Sequence, residues 1–371
     1  MGGAEYQVKC LLDYLRSLDR YDIHYLAHRV PREGEFDGYT VHRVGQAGGM
    51  PRLGYISDAP SLYSVLRRLR PDVVYQRVGC AYTGITAFFS RRAGSQLVWH
   101  AANDTDVQRN LKLRQRNFIR QWLEKSLLSY GIRSADRIVT QTEQQARLLL
   151  ENFGRSADAV IANFHPYPIE AVHKSGPVRV VWIADLKPPK QPEVFLRLAA
   201  ALRDIQDARF IMIGGAAAGT GGSSWLASLQ ASINSASNVE YLGQRPQAEV
   251  NEELSKAHVF VNTSIYEGFP NTFIQAWMRD TPVVSLNVNP DGILDDENVG
   301  FHSGTEKHLA GTVRRLITNP ALRMAVARRA RAHAMQFHSM ANARRLEEII
   351  RSAAALSVRA RAGLVATGRN G

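Results

Sequence analysis

Residues 259–285 hold the side chains best placed to do chemistry. Val259-Phe260-Val261-Asn262 is a short apolar run that reads as a buried strand. Residues 264–278 follow as a glycine-containing loop and a helix, and Thr281-Pro282-Val283-Val284-Ser285 reads as the next strand. Strand, loop, helix and strand in that order make one βαβ unit. Pro270 suits the first position of the helix, where its missing N–H leaves no hydrogen bond unmade. The amides of Asn271 and Thr272 would then project from a helix N-terminus, a ready site for an anion such as phosphate. Glu267 lies just ahead of that helix, in the loop at the strand's carboxyl end, where open α/β sheets bind their ligands.

Glu267-Gly268-Phe269-Pro270-Asn271-Thr272 and Gln275-Ala276-Trp277, followed by Thr281-Pro282-Val283-Val284, resemble the signature of the family 4 retaining glycosyltransferases. The resemblance implies an α/β protein of the GT-B fold: two Rossmann-like domains facing across a cleft, with a C-terminal helix crossing back to the first. It implies that Glu267 contacts a donor sugar and that the helix start, residues 268–272, holds a diphosphate. The family places a second Glu eight positions after the first, on the ribose of the nucleotide, and this chain has Gln275 there. A further pattern, Gly-Arg-Leu-x-x-x-Lys, is matched by Ala184-Asp185-Leu186-Lys187-Pro188-Pro189-Lys190. Lys190 keeps the family's diphosphate-binding lysine, and Asp185 stands where an arginine is usual. His100, at the end of the strand 96–100, matches a histidine that lies beside the donor sugar. Gly2 and Gly3 match a glycine pair between the family's first strand and first helix, near the donor phosphates and the acceptor. No counterpart of that first strand precedes them, and the expectation is that it is encoded upstream.

The 371 residues are enough for about two domains, and 45% hydrophobic with 22% charged is ordinary for a globular protein. Cys10 and Cys80 make neither a disulfide framework nor a metal site. No run of about 18 apolar residues offers a membrane span, and no apolar signal segment follows Met1. The net charge of +12 is concentrated in residues 109–133, with seven Lys and Arg against one Glu, and 323–371, with ten Arg against two Glu. Such faces suit an anionic partner. In 109–133 the basic residues alternate with an irregular apolar set, Leu111, Phe118, Ile119, Trp122, Leu123, Leu127 and Leu128. That pattern fits a membrane-surface helix or a core helix with a solvated basic face.

The elements that must position these residues are legible along the chain. Strands are expected over 22–26, 39–44, 72–75, 96–100, 136–142 and 159–163 in the first half, and over 178–183, 208–215, 239–243, 259–262 and 281–285 in the second. Helices are expected over 60–69, 84–91, 143–152, 306–318, 321–334 and 340–355. Thr142 is a suitable N-cap. Asn103, Asp104 and Asp106 follow the strand that ends on His100; they either hold acceptor hydroxyls or form a solvated turn. The polar stretch 173–177, with Gly176 and Pro177, is the best linker. The expected organisation is an acceptor-side domain over 1–172, a nucleotide-sugar domain over 178–337, a crossover helix over 338–357 and a disordered tail over 358–371.

The function expected is transfer of a sugar from a nucleotide-diphosphate sugar to a glycan or lipid-linked acceptor, with retention, in cell-surface polysaccharide synthesis. Glu267, His100 and Lys190 are the catalytic candidates; Gly2, Gly3, Lys190, Gly268, Phe269, Pro270, Asn271, Thr272 and Gln275 are the donor-binding candidates; Asn103 and Asp104 lie on the acceptor side. Lys190 and the helix start meet the leaving group's charge, so no metal and no cofactor are expected. No nucleic acid is expected as a partner, since no RNA-binding motif with interleaved aromatics is present. The expected location is cytoplasmic, with an anionic membrane surface as a further partner. Two other readings stand beside this one. They are a sugar-nucleotide epimerase of the same fold, and a non-catalytic basic binder of membrane or nucleic acid on a degenerate scaffold, the latter favoured by Asp185, Gln275 and the missing strand.

Overall fold

The computed structural model describes residues 2–27, 34–45, 54–108, 118–168, 172, 174–216, 223–296 and 298–367. The basic residues of 109–117, His173 of the linker and most of the glycine-rich run after Gly215 lie outside them. The chain divides into two units, Met1–Asn163 with Met340–Gly371, and Phe164–Ser339. The first boundary therefore precedes the 173–177 linker.

The first unit opens with helix α1 (Gly3–Ser17), then β1 (His24–Ala27), β2 (Gly34–Phe36), β3 (Tyr39–Arg43) and α2 (Gly54–Leu69). It continues with β4 (Val73–Arg77), α3 (Ala81–Ala93), β5 (Gln96–His100), α4 (Phe118–Ser134), β6 (Arg137–Thr140), α5 (Glu143–Phe153) and β7 (Ala159–Val160). Helix α2 begins ahead of Pro60, which therefore sits inside the helix rather than at its start. Its strands form two sheets, in the orders β1-β3-β2 and β4-β5-β6-β7. Strand β1 pairs with β3 and β4 with β5, and among the described residues nothing joins the two sheets. Leu26 of β1 and Val74 of β4 nevertheless pack against one cluster of Val44, Leu62, Leu66 and Phe89. Helices α3 and α4 cross with their backbones nearly touching. A Cβ on Gly84 would lie 2.4 Å from the Leu127 carbonyl oxygen, and one on Gly131 would lie 2.5 Å from the Thr83 carbonyl carbon. Only glycine fits there.

The second unit alternates strictly: β8 (Val178–Ile183), α6 (Pro192–Ala201), β9 (Ala208–Ile213), α7 (Ser224–Ser235), β10 (Val239–Gly243), α8 (Gln247–Lys256), β11 (Val259–Asn262), α9 (Asn271–Trp277) and β12 (Val283–Ser285). Then come α10 (Ile293–Asp296), β13 (Gly300–His302), α11 (Glu306–Thr318) and α12 (Pro320–Phe337). Its strands form one parallel sheet in the order β10-β9-β8-β11-β12-β13. That is the doubly wound order, in which the winding reverses between β8 and β11. Helices on both faces explain why β11 and β12 are buried along their whole length and read as apolar runs rather than alternating ones. Trp182, Trp277, Phe195, Phe210, Phe260 and Phe273 are fully buried and anchor the two layers between sheet and helices. Burying each stabilises the unit by about 1.5–3 kcal/mol or more.

The chain ends in α13 (Ala341–Thr367), which belongs to the first unit, where Asn342 Nδ2 donates to the Ala162 carbonyl and Ser357 Oγ to the Gly94 carbonyl. The stretch from 358, expected to be a disordered tail, continues α13 as far as Thr367, through Gly363, in a segment rich in the helix formers Ala, Arg and Leu.

Candidate functional site

In the second unit the site forms where the sheet reverses. The turn after β8 and the loop after β11 leave from neighbouring strands, and hydrogen bonds stitch them together. Trp182 Nε1 donates to Thr263 Oγ1 at 2.8 Å; Thr263 Oγ1 in turn donates to the Lys190 carbonyl at 2.7 Å. The Ile265 amide donates to the Pro189 carbonyl at 2.9 Å. This frame holds Lys190, the last residue of the 3-10 turn Pro188–Lys190, against Glu267. Lys190 Nζ donates to Glu267 Oε1, and Ser264 Oγ donates to the same oxygen at 2.7 Å. The two ionised side chains are 17% and 20% exposed, so the pair is reachable from solvent but mostly dehydrated. Charge-assisted bonds of this kind are about twice as strong as neutral ones. Lys190 and Glu267, two residues 77 positions apart, thus lie on one spot.

The other candidates of this unit are placed as follows. Gly268, Phe269 and Pro270 are buried, and Phe269 packs against Trp277 and against His338 with ring centroids 4.5 Å apart in the latter pair. Pro270 is the N-cap of α9 rather than its first helical residue. Asn271 and Thr272 are partly exposed. The Asn271 Oδ1 accepts from His165 Nε2 at 3.1 Å, and burial pushes that imidazole down to about 4, so it is neutral. Gln275 is 4% exposed, and its carbonyl accepts from Arg279, itself buried, at 3.3 Å. Asp185 pairs with Lys187 at 3.5 Å, so the residue replacing the family's arginine also draws off the nearby lysine's charge.

In the first unit His100 ends β5 and is 1% exposed. Strand β4 runs on to Arg77, two residues past the expected end at Tyr75, and the parallel register sets Arg77 opposite His100. The Tyr75 hydroxyl is 2.9 Å and an Arg77 nitrogen 3.1 Å from His100 Nδ1, and the Tyr75 and His100 rings meet edge to face. Arg77 also donates to Asn163 Oδ1. Burial first, then the Arg77 charge, hold the His100 imidazole well below its usual range. Asn103 and Asp104 begin a built turn, not a loose one. Asp106 is buried, and its Oδ2 accepts from the amides of Ala102 at 2.8 Å and Asn103 at 3.1 Å; Asp104 Oδ1 accepts from Gln145 Nε2 at 3.1 Å. Gly2 caps α1 and Gly3 is its first residue. Among the described residues no three His, Cys, Asp or Glu side chains are grouped to hold a metal ion.

Both units are matched by family models. The family model described as glycosyl transferases group 1 matches residues 177–319, and the one described as glycosyl transferase 4-like domain matches residues 2–164. The chain belongs to the family 4-type glycosyltransferases of group 1. A D-inositol 3-phosphate glycosyltransferase of Corynebacterium aurimucosum is 24% identical over 248 residues, covering 61% of this chain and 59% of that protein. The chain therefore spans little more than half the length of this curated relative. The fold is that of GT-B glycosyltransferases. The HepE protein of Anabaena, solved with UDP-glucose, superposes with a TM-score of 0.73 at 18% identity, over 95% of this chain and 96% of that one. WaaG, a glycosyltransferase involved in lipopolysaccharide biosynthesis, superposes with a TM-score of 0.74 at 13% identity, over 94% of this chain and 96% of that one.

The motifs name Glu267, Lys190 and His100 as candidates but not the groups that hold them. Ser264 and Thr263 were in plain view beside Glu267, yet a hydroxyl in a loop carries no sign of its partner. Arg77 was missed because the apolar run that marks its strand stops at Tyr75.

Proposed function

We propose that this chain transfers a sugar from a nucleotide-diphosphate sugar to a hydroxyl of a glycan or lipid-linked acceptor, with retention at the anomeric carbon. The observation that carries the reading is the Lys190–Glu267 pair at the reversal point of the second unit's sheet. In this reading the glycosidic C–O bond to the diphosphate breaks, negative charge grows on the leaving phosphate and positive charge on the sugar. Lys190 and the amides at the start of α9 stabilise the phosphate. Glu267 and His100 orient the sugar. The acceptor hydroxyl attacks from the leaving-group face and its proton passes to the departing phosphate, so no protein nucleophile is assigned and no metal is required. HepE with its UDP-glucose supports the class of donor, and WaaG supports an acceptor in cell-surface glycan synthesis.

We also propose that the protein works as a cytoplasmic enzyme at an anionic membrane surface. No helix among the described residues is long and apolar enough to cross a membrane. On α4, however, Ile119 is 79% and Trp122 57% exposed, on a helix that also carries Lys125 and Arg133. Exposed apolar side chains among basic ones are what an interfacial helix presents to lipid.

The direct test is to mix the protein with UDP- and GDP-sugars and follow thermal stabilisation and slow donor hydrolysis. Stabilisation by one donor, with release of its nucleotide, is the expected result. A protein that responds to none of these donors is a binder, and the reading is wrong.

A further inference from the structure

Arg77 is an unusual partner for a histidine. In hydrolytic triads a carboxylate accepts from one imidazole nitrogen, which leaves the other free to take a proton. Here the partner is a guanidinium, which has five donors, no acceptor and a permanent charge. A contact of 3.1 Å between Arg77 and His100 Nδ1 requires that Nδ1 accept. The Tyr75 hydroxyl, 2.9 Å from the same atom, points its proton there too. The ring hydrogen is thereby left to Nε2, because the partner of one imidazole nitrogen decides the state of the other. His100 Nε2 is buried and has no hydrogen bond of normal geometry, while the backbone carbonyl of Ile161, an acceptor, acts on the ring.

The other groups around the ring do not oppose this arrangement. Asn163 turns its oxygen to Arg77 and fixes the guanidinium. The Arg77 charge also reaches Cys10 of α1 and Asp106 of the turn after β5. Burial pushes the Cys10 thiol up to about 11, so it brings no charge. Helix α13 packs on β4 and β5, but its buried Glu347 is engaged with Arg20 and Tyr21. The charged side chain acting on the imidazole is Arg77.

We propose that Arg77 is a positioning residue that locks His100 as the neutral tautomer with its proton on Nε2, so that the ring offers a hydrogen-bond donor and cannot serve as a base. The part the ring plays in turnover rests on the proposed transfer reaction. The state of the ring does not depend on that reading and can be measured without substrate.

The experiment is nitrogen NMR on the full chain with labelled histidine, the His100 signals being identified by their loss in a His100→Gln variant. From pH 5 to 8 the wild type should show Nδ1 unprotonated and Nε2 protonated, with no titration. A proton on Nδ1, or titration of the ring near neutral pH, overturns the proposal. Arg77→Met should let the ring exchange tautomers, since the Tyr75 hydroxyl left beside Nδ1 can accept as well as donate, and Arg77→Lys, which still donates to Nδ1, should restore the wild-type pattern. An Arg77→Met protein whose His100 signals match the wild type also overturns it. If the Met variant does not fold, the wild-type spectrum and the Lys variant decide. In donor hydrolysis, Arg77→Met should lower kcat about tenfold, the order of one lost hydrogen bond, and Arg77→Lys should recover it. His100→Ala with undiminished turnover would refute the function assigned to His100, a failure distinct from a wrong tautomer.

Discussion

Replacing Lys174 with methionine should make the stability of the second unit lean differently on pH. Lys174 lies just before β8, and its Nζ donates to Thr281 Oγ1 at 2.8 Å and to the Ala257 carbonyl. Burial, only partly offset by Asp280, pushes its amine down to about 7. An unfolded lysine titrates near 10.4. Between these values the unfolded chain holds a proton that the folded chain has released, so stability rises with pH across the window and the full penalty applies below it. Integrating the linkage relation from those two pKa values gives a penalty of about 4 kcal/mol at pH 7 and about 2 kcal/mol at pH 9. Methionine has a similar length and no charge, and it gives up two hydrogen bonds of roughly 1 kcal/mol each. Lys174→Met should therefore be more stable than the wild type by about 2 kcal/mol at pH 7 and about equal to it at pH 9. Urea unfolding at pH 7, 8 and 9, read through hydrogen exchange of amides in the second unit, measures the difference. A Met-minus-wild-type difference that stays constant across these pH values refutes the buried-amine argument.

Further outcomes follow from the site and its supports. Glu267→Ala should abolish transfer, and breaking a pair that is 17% and 20% exposed should cost only about 1–2 kcal/mol of stability, between the surface and buried limits. Lys190→Ala should weaken both donor binding and turnover, and normal kinetics in either variant contradicts the assigned roles. Asp106→Ala leaves the Ala102 and Asn103 amides without their acceptor and should destabilise the first unit by about 1–3 kcal/mol per lost partner, visible as a lowered melting temperature. Gly84→Val must force α3 and α4 apart, since its Cβ would lie 2.4 Å from the Leu127 carbonyl oxygen, and a loss above about 3 kcal/mol is expected. Co-sedimentation with anionic vesicles should fall at high salt and in an Ile119→Ser, Trp122→Ser double variant; equal binding to neutral vesicles would contradict electrostatic attachment.

The sequence by itself determined the parts of this protein that are local. The runs around Val180, Phe210 and Phe260 fix strands because a strand buried on both faces must be apolar throughout. The stretch from Glu267 to Trp277 carries enough turn and helix chemistry to be recognised wherever it occurs. Tertiary structure decided what those residues do to one another. The pairing of Lys190 with Glu267 depends on β8 and β11 lying side by side, and the order of strands in a sheet is not written in any window of sequence. The same holds for His100. Its strand end was legible, but its state depends on Arg77, which a parallel register 23 residues away sets beside it. Burial worked likewise on Gln275 and Asp106, and in part on Lys174, polar residues that look like surface positions in the sequence and are covered by elements distant along the chain. Periodicity reports which face of an element is apolar; charge state and hydrogen-bond direction are set by neighbours that only folding supplies.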